Sequence, residues 1–320
     1  MKRVTRWSVL AASLALLVSG CANDTGGSGS DDSASGGGES QGSTDLGPVR
    51  ISGQAFPEAV LVASMYEQLL ADAGFTPEVK LVDTRDVYMQ AFPADVDVVP
   101  EYVGGVVDYL NTTVNGAEAE SLTTSDAAES LANAQALLED KGITMLAPSA
   151  ATDTNAFFVS EAFAEEQGGL ASLSDLTGAK VVLAAAPDCE GRADCEGGLA
   201  GTYGIEITEI LPLGFASEQT YRAVIDGEAQ LGLTSTTDGT LASQGLLLLA
   251  DDQAIQPAQN LVPAVSSEFL TAHPEVRQPL EQLMAALTTE KLTELNGQVS
   301  VDRAKPADVA KAFLEAEGLL

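Results

Sequence analysis

From Val49 onward the apolar positions alternate between two spacings. Val49 to Ser52 is a short run with strand character, and Pro57 to Ala73 carries apolar residues at Val60, Ala63, Met65, Tyr66, Leu69 and Leu70, the spacing of a helix. Pro57 suits a first helical turn, and Glu58 complements the helix dipole there. A strand (Pro77 to Val82), a helix (Thr84 to Phe92), a buried strand (Val96 to Val99) and a helix beginning at Gly104 follow. A second series opens near Ala151. It predicts strands at Ala156 to Val159, Val181 to Ala185, Ile207 to Pro212, Gln230 to Thr234 and Gly245 to Ala250. Its helices are a short capped turn at Leu173 to Leu176 and a segment at Tyr221 to Asp226. After Pro257 the pattern predicts long helices, Pro274 to Leu287 and Lys305 to Leu320. Strand and helix in alternation predict an α/β fold with a parallel or mixed sheet covered on both faces. Two such series predict two lobes, with one large α/β domain as the alternative.

The chain ahead of this body has a different character. Lys2, Arg3 and Arg6 precede an almost wholly apolar run, Trp7 to Val18, which is shorter than the ~20 residues a spanning helix needs. Residues 1–20 therefore read as a signal peptide. Leu17-Val-Ser-Gly-Cys21 resembles the bacterial lipobox, whose cysteine is acylated and becomes the new N-terminus. The alternative is an ordinary secretory signal with a chance cysteine. Residues 21–47 are mostly Gly, Ser and Asp, so they predict a flexible tether with a span of roughly 25–30 Å. The whole chain has net charge −32, with 47 acidic against 15 basic residues, and cleavage before Cys21 would remove only basic ones. Nucleic acid and anionic lipid surfaces are excluded as partners, because both require a basic patch. The acidity reads as a solvated shell. Cys189 and Cys195 lie six apart in a Gly- and Asp-rich loop, and in an exported protein they predict a disulfide. A zinc site would need more nitrogen and sulfur ligands than the chain offers with its one histidine, His273. No cofactor is expected.

Several segments carry a family resemblance when taken in order. They are Phe56-Pro-Glu58, Asp97-Val-Val-Pro-Glu101-Tyr102-Val-Gly104, Asp153-Thr-Asn-Ala-Phe157 with Leu173-Ser-Asp-Leu176, and Arg192 with Tyr203-Gly204. Tyr221-Arg-Ala, Ser235-Thr-Thr-Asp238-Gly and Asp251-Asp252 with Pro257 and Pro263 complete the series. Together, over residues 49 to 320, they resemble the substrate-binding proteins of osmoprotectant ABC importers, the glycine betaine, choline and carnitine class. The resemblance implies a two-lobed periplasmic-binding-protein fold of type II with the ligand cleft between the lobes. It also implies lobe 1 from residues 48–150 and 260–320, and lobe 2 from 151–259. A monomer is expected, tethered to the outer face of the cell membrane by Cys21. It would capture a small-molecule solute by hinge closure and hand it to an ABC permease with a cytoplasmic ATPase. A lipoprotein sensor without transport is the alternative.

The resemblance also assigns ligand-binding positions. Family members surround a quaternary ammonium with four tyrosines, since such a cation donates no hydrogen bond and is held by aromatic faces. Here Tyr102 keeps the first aromatic position, while Asn155, Ser235 and Gln259 occupy the other three. Arg192 keeps the arginine that meets the ligand carboxylate, and Asp153 matches an acidic residue of the site. Three aromatics replaced by donor–acceptor groups imply a polar solute other than glycine betaine. Alternatively, Phe157, Phe158 or Tyr221 supplies aromatic walls and a quaternary amine still binds. Arg192 is placed either on ligand or in ion pairs with Asp188 or Asp194. Glu101 serves either the ligand or a structural hydrogen bond, and Asp238 is expected to cap a turn. The sequence holds no Gly-x-Ser-x-Gly elbow, P-loop or His-Glu-x-x-His pair, so a binder rather than an enzyme is expected.

Overall fold

The computed structural model describes residues 45–320; the expectations for the signal peptide, Cys21 and most of the tether lie outside them. The first series forms β1 (Gly47–Gln54), α1 (Pro57–Asp72), β2 (Phe75–Val82), α2 (Arg85–Met89), β3 (Val98–Tyr102), α3 (Val103–Asn115), α4 (Ala127–Asn133), α5 (Gln135–Lys141) and β4 (Ile143–Met145). The second forms β5 (Asn155–Ser160), α6 (Glu161–Glu166), β6 (Lys180–Ala185), α7 (Glu196–Gly201), β7 (Glu206–Pro212), α8 (Glu218–Ile225), β8 (Leu231–Ser235) and β9 (Leu246–Leu249). Then come β10 (Leu261–Ser266), α9 (Ser267–Ala272), α10 (Arg277–Ala286), α11 (Thr289–Ser300) and α12 (Pro306–Ala316).

These strands make two five-stranded sheets, in the orders β2-β1-β3-β10-β4 and β7-β6-β8-β5-β9. Each is mixed in the same way. β1 runs parallel to β2 and β3, and β6 runs parallel to β7 and β8, while β10 and β5 are antiparallel to both of their neighbours. β5 and β10 are also the first strands formed after the chain passes from one sheet to the other, so the two lobes are built by the same exchange. Both faces of each sheet are covered. Val98 packs with α1, α10 and α12 residues such as Leu61, Met65, Leu280 and Leu314, while its neighbour Val99 packs with Tyr88, Phe92 and Val106. Phe157 and Phe158 divide in the same way between the two cores of the second lobe. In the central strands β3 and β10 period-2 alternation thus reads as a continuous apolar run, because neither face meets water there.

Two passages of the C-terminal third depart from the expected long helices. β10 is a strand, and its Pro263 stands opposite Pro100 of β3, so both missing donors fall on one rung. α11 had no expected counterpart. Only Leu292 and Leu295 are buried on it, too few apolar positions for a helical period to show. The two crossings lie side by side. Thr152 bridges Asn260, the Asp153 amide donates to the Gln259 carbonyl (3.1 Å), and the Leu261 amide donates to Ala151 (3.0 Å).

Candidate functional site

Between the sheets, the N-terminus of α1, the first crossing and the turn after β8 meet at a cavity of about 540 Å3. Pro57 stands in the first turn of α1, which places Glu58 at the cavity with only 5 % of its surface exposed. The Tyr102 hydroxyl donates to Glu58 Oε1 (2.6 Å), and the Asn296 amide of α11 donates to Glu58 Oε2 (2.6 Å). Across the cavity, Asp153 Oδ1 accepts from the Thr237 hydroxyl (3.0 Å). Asp238 accepts from Tyr221 (2.6 Å), from Thr234 (2.6 Å) and from both the amide (2.9 Å) and hydroxyl (2.6 Å) of Thr240. It thus braces the turn as expected while also lining the cavity. Phe56, Phe215 and Tyr221 supply aromatic wall, and Ser235, Asn296 and Ser300 supply polar wall. Phe215 is held at the mouth, 46 % exposed, beside Ala216, whose φ of 45° is unusual outside glycine.

The electrostatics follow from burial. Desolvation, reinforced by the negative charge of Asp153, pushes the Glu58 carboxyl up to about 7, against the pull of its donors Tyr102 and Asn296. Burial likewise raises Asp153. The Tyr102 phenol is raised well above its ordinary value by burial and by the nearby carboxylates, so it stays a donor. Between its unfolded value near 4.5 and its folded value near 7, Glu58 keeps its proton only in the folded chain. Its contribution to stability is therefore complete at low pH and lost as pH rises through 7. Denaturation curves from about pH 5 to 8 should show a decline, and Glu58→Gln should remove on the order of 2–3 kcal/mol of it.

The structure disperses the six residues assigned from sequence. Asp153 and Ser235 line the cavity, and Tyr102 stands behind Glu58. Arg192 is engaged by Asp194 through Nε (2.9 Å) and Nη2 (2.6 Å), and by Asp188 through Nη1 (3.0 Å), within the loop closed by the Cys189–Cys195 disulfide. Asn155 donates to the same Asp194 (3.0 Å), so Asn155 and Arg192 form one cluster, and neither lines the cavity. Gln259 accepts from the Gly105 amide (2.9 Å) and holds the first turn of α3. Phe157 and Phe158 are core residues, whereas Tyr221 does reach the cavity. Glu101 is buried and bonded to Arg85 through Nε (2.9 Å) and Nη2 (3.0 Å), to the Tyr88 hydroxyl and to the Tyr102 amide (3.0 Å), which is the structural reading of that residue. Phe215 and Asn296 were not legible. Phe215 is an isolated aromatic in a Gly214-flanked loop, and Asn296 rides a helix with little apolar period.

A larger groove of about 930 Å3 runs along the other flank of α11, between Thr236 and Ala242 on one side and Glu290 and Val301 on the other. It is lined by no aromatic residue and by none of the buried carboxylates, so the smaller cavity is the candidate site.

A two-lobed α/β protein with a polar, acid-lined cleft between its sheets is the class of protein that the fold and site define. Residues 47–316 match the family described as the substrate-binding domain of ABC-type glycine betaine transport systems, and the chain belongs to it. It is 28 % identical over 285 residues to a glycine-betaine-binding protein of Pseudomonas aeruginosa, covering 85 % of this chain and 88 % of that one. The apo structure of Escherichia coli YehZ superposes with a TM-score of 0.70 at 24 % identity, covering 85 % of this chain and 99 % of that one. A structure described as a glycine betaine/carnitine/choline ABC transporter gives 0.72 at 21 %, with the same coverage. Among the described residues no helix is long and apolar enough to cross a membrane.

Proposed function

We propose that this protein is the solute-capturing component of an ABC importer and that its cleft takes a small organic cation lacking a carboxylate. The observation that carries the ligand class is the cavity wall: Glu58, Asp153 and Asp238 line it, and no Lys, Arg or His does among the described residues. A carboxylate ligand about 5 Å from one ionised wall carboxylate meets roughly 3 kcal/mol of repulsion at an effective dielectric of about 20. A cation gains the same term with opposite sign. Phe56, Phe215 and Tyr221 add cation–π contacts of about 0.5–2 kcal/mol each. Arg192, the residue expected to meet a ligand carboxylate, already has two aspartates as partners. The relatives include binders named for glycine betaine, carnitine and choline. Choline fits this wall, and the zwitterionic betaine fits it less well. This reading takes up the alternative in which a rearranged aromatic site, here with Tyr221 in its wall, still binds a quaternary amine, in place of the expected polar solute; the hydroxyls of Ser235 and Thr237 suit the hydroxyl end of such a cation.

In this reading lobe 1 comprises residues 48–150 and 260–320, lobe 2 comprises 151–259, and the paired crossings form the hinge. Ligand bridging both walls favours the closed form by its differential affinity. The closed monomer, held at the outer membrane face by acylated Cys21, then docks on a permease, and no bond of the solute is broken. Titration calorimetry tests the ligand class. Choline should bind at least tenfold more tightly than glycine betaine, a difference of about 1.4 kcal/mol. The reverse order would sink it.

A further inference from the structure

We propose that Asn296 is the positioning residue through which the state of the cleft is transmitted to the lobes. α11 belongs to the first lobe, whose core takes Leu292 and Leu295. An adjacent face presents Thr289 to the first crossing and Thr293, Asn296 and Gly297 to the turn after β8. The Thr152 amide donates to Thr289 Oγ1 (3.1 Å), and the Thr293 hydroxyl donates to the Thr236 carbonyl (3.3 Å). Gly297 lies directly against Gly239, where an added Cβ on Gly239 would stand 2.3 Å from the Gly297 nitrogen. Backbone therefore meets backbone at this point, with no room for a side chain between the two lobes.

Asn296 differs from its neighbours on that face. Its Nδ2 donates at once to Glu58 Oε2 of the first lobe (2.6 Å) and to the Thr237 carbonyl of the second (3.0 Å). Both partners are acceptors, so the amide nitrogen, with its two protons, is the only end of the side chain that serves both. Thr237 in turn donates to Asp153 on the opposite wall. One amide thus joins the two wall carboxylates to the inter-lobe seam. A cation that draws Glu58 and Asp153 toward itself moves the same hydrogen bonds that set the lobe spacing, and a change in lobe spacing moves Glu58. The groups facing Glu58 are Tyr102 from the end of β3, Asn296 from α11 and Asp153 from the first crossing, with Asp238 behind Asp153.

This inference rests on the solute-binding reading, and its test separates the two. Spin labels at Glu139 of the first lobe and Glu209 of the second report lobe separation by electron–electron resonance in the full chain. Asn296→Ala should widen the ligand-free distance distribution, weaken choline binding about tenfold, and move the pH midpoint of choline binding upward, because Glu58 loses a donor that favours its ionised form. Thr293→Ala cuts an inter-lobe tie that does not touch Glu58. It should alter the distances while leaving the pH midpoint in place. An Asn296→Ala protein with unchanged distances overturns the proposal, and so does a Thr293→Ala protein whose midpoint moves equally. Should the wild type bind neither choline nor glycine betaine, the ligand reading fails. Asn296 is then judged on the ligand-free distances alone, where no change again overturns it.

Discussion

Arg85→Ala is expected to destabilise the first lobe by about 3–5 kcal/mol, the cost of leaving a buried carboxylate without its cation. Glu101 is 1 % exposed, and the Arg85 guanidinium meets both of its oxygens. Arg85 also fills the space over Gly105, where an added Cβ would stand 2.3 Å from Nη2. Losing it removes packing as well as charge. Tyr88 and the Tyr102 amide remain as donors to Glu101, but neither carries a positive charge. Arg85→Lys should recover only part of the loss, since a lysine cannot reproduce the paired geometry. Chemical denaturation followed by circular dichroism measures both. A loss below about 1 kcal/mol would show that Glu101 finds other compensation.

Asp153→Asn should have the second largest effect, this time on binding. Removing one wall charge lowers affinity for choline about 10- to 100-fold, or roughly 1.4–2.8 kcal/mol, while the amide can still accept from Thr237. The same change takes away the negative charge that helps hold the Glu58 carboxyl near 7. Binding of a cation strengthens as Glu58 ionises, so in the wild type affinity should rise as pH passes through about 7. In the variant that rise should occur at lower pH. Calorimetric titrations across pH 5.5 to 8.5 read both quantities, and an unaltered choline affinity would remove Asp153 from the site.

The Asp97 to Gly104 motif shows where residue type stops deciding a role. Its order and residue types pointed Tyr102 toward the cleft, yet they left Glu101 open between ligand and structure. Tertiary contact assigns Glu101 to Arg85 and Tyr88, and it directs Tyr102 toward Glu58. None of these three partners is near enough in sequence to the motif for spacing to reveal it. Asn155 and Arg192 show the same limit. Asp194 satisfies both, and a nearby charge can always compete with a ligand for an arginine.

What the sequence determined by itself was the alternation of strand and helix, the two series, the disulfide loop and the family. Each of these depends on local spacing or on motifs kept in order, and none needs a distant partner. The same source carried the expectation of a lipid anchor at Cys21. Tertiary structure alone decided that β10 completes the first sheet, because a short apolar run containing a proline becomes a strand only when β3 and β4 are beside it. It also decided which polar groups form the cleft. Glu58 and Asn296 stand 238 positions apart and meet within 2.6 Å, a juxtaposition set by the packing of α1 against α11 and carried by no periodicity in either helix.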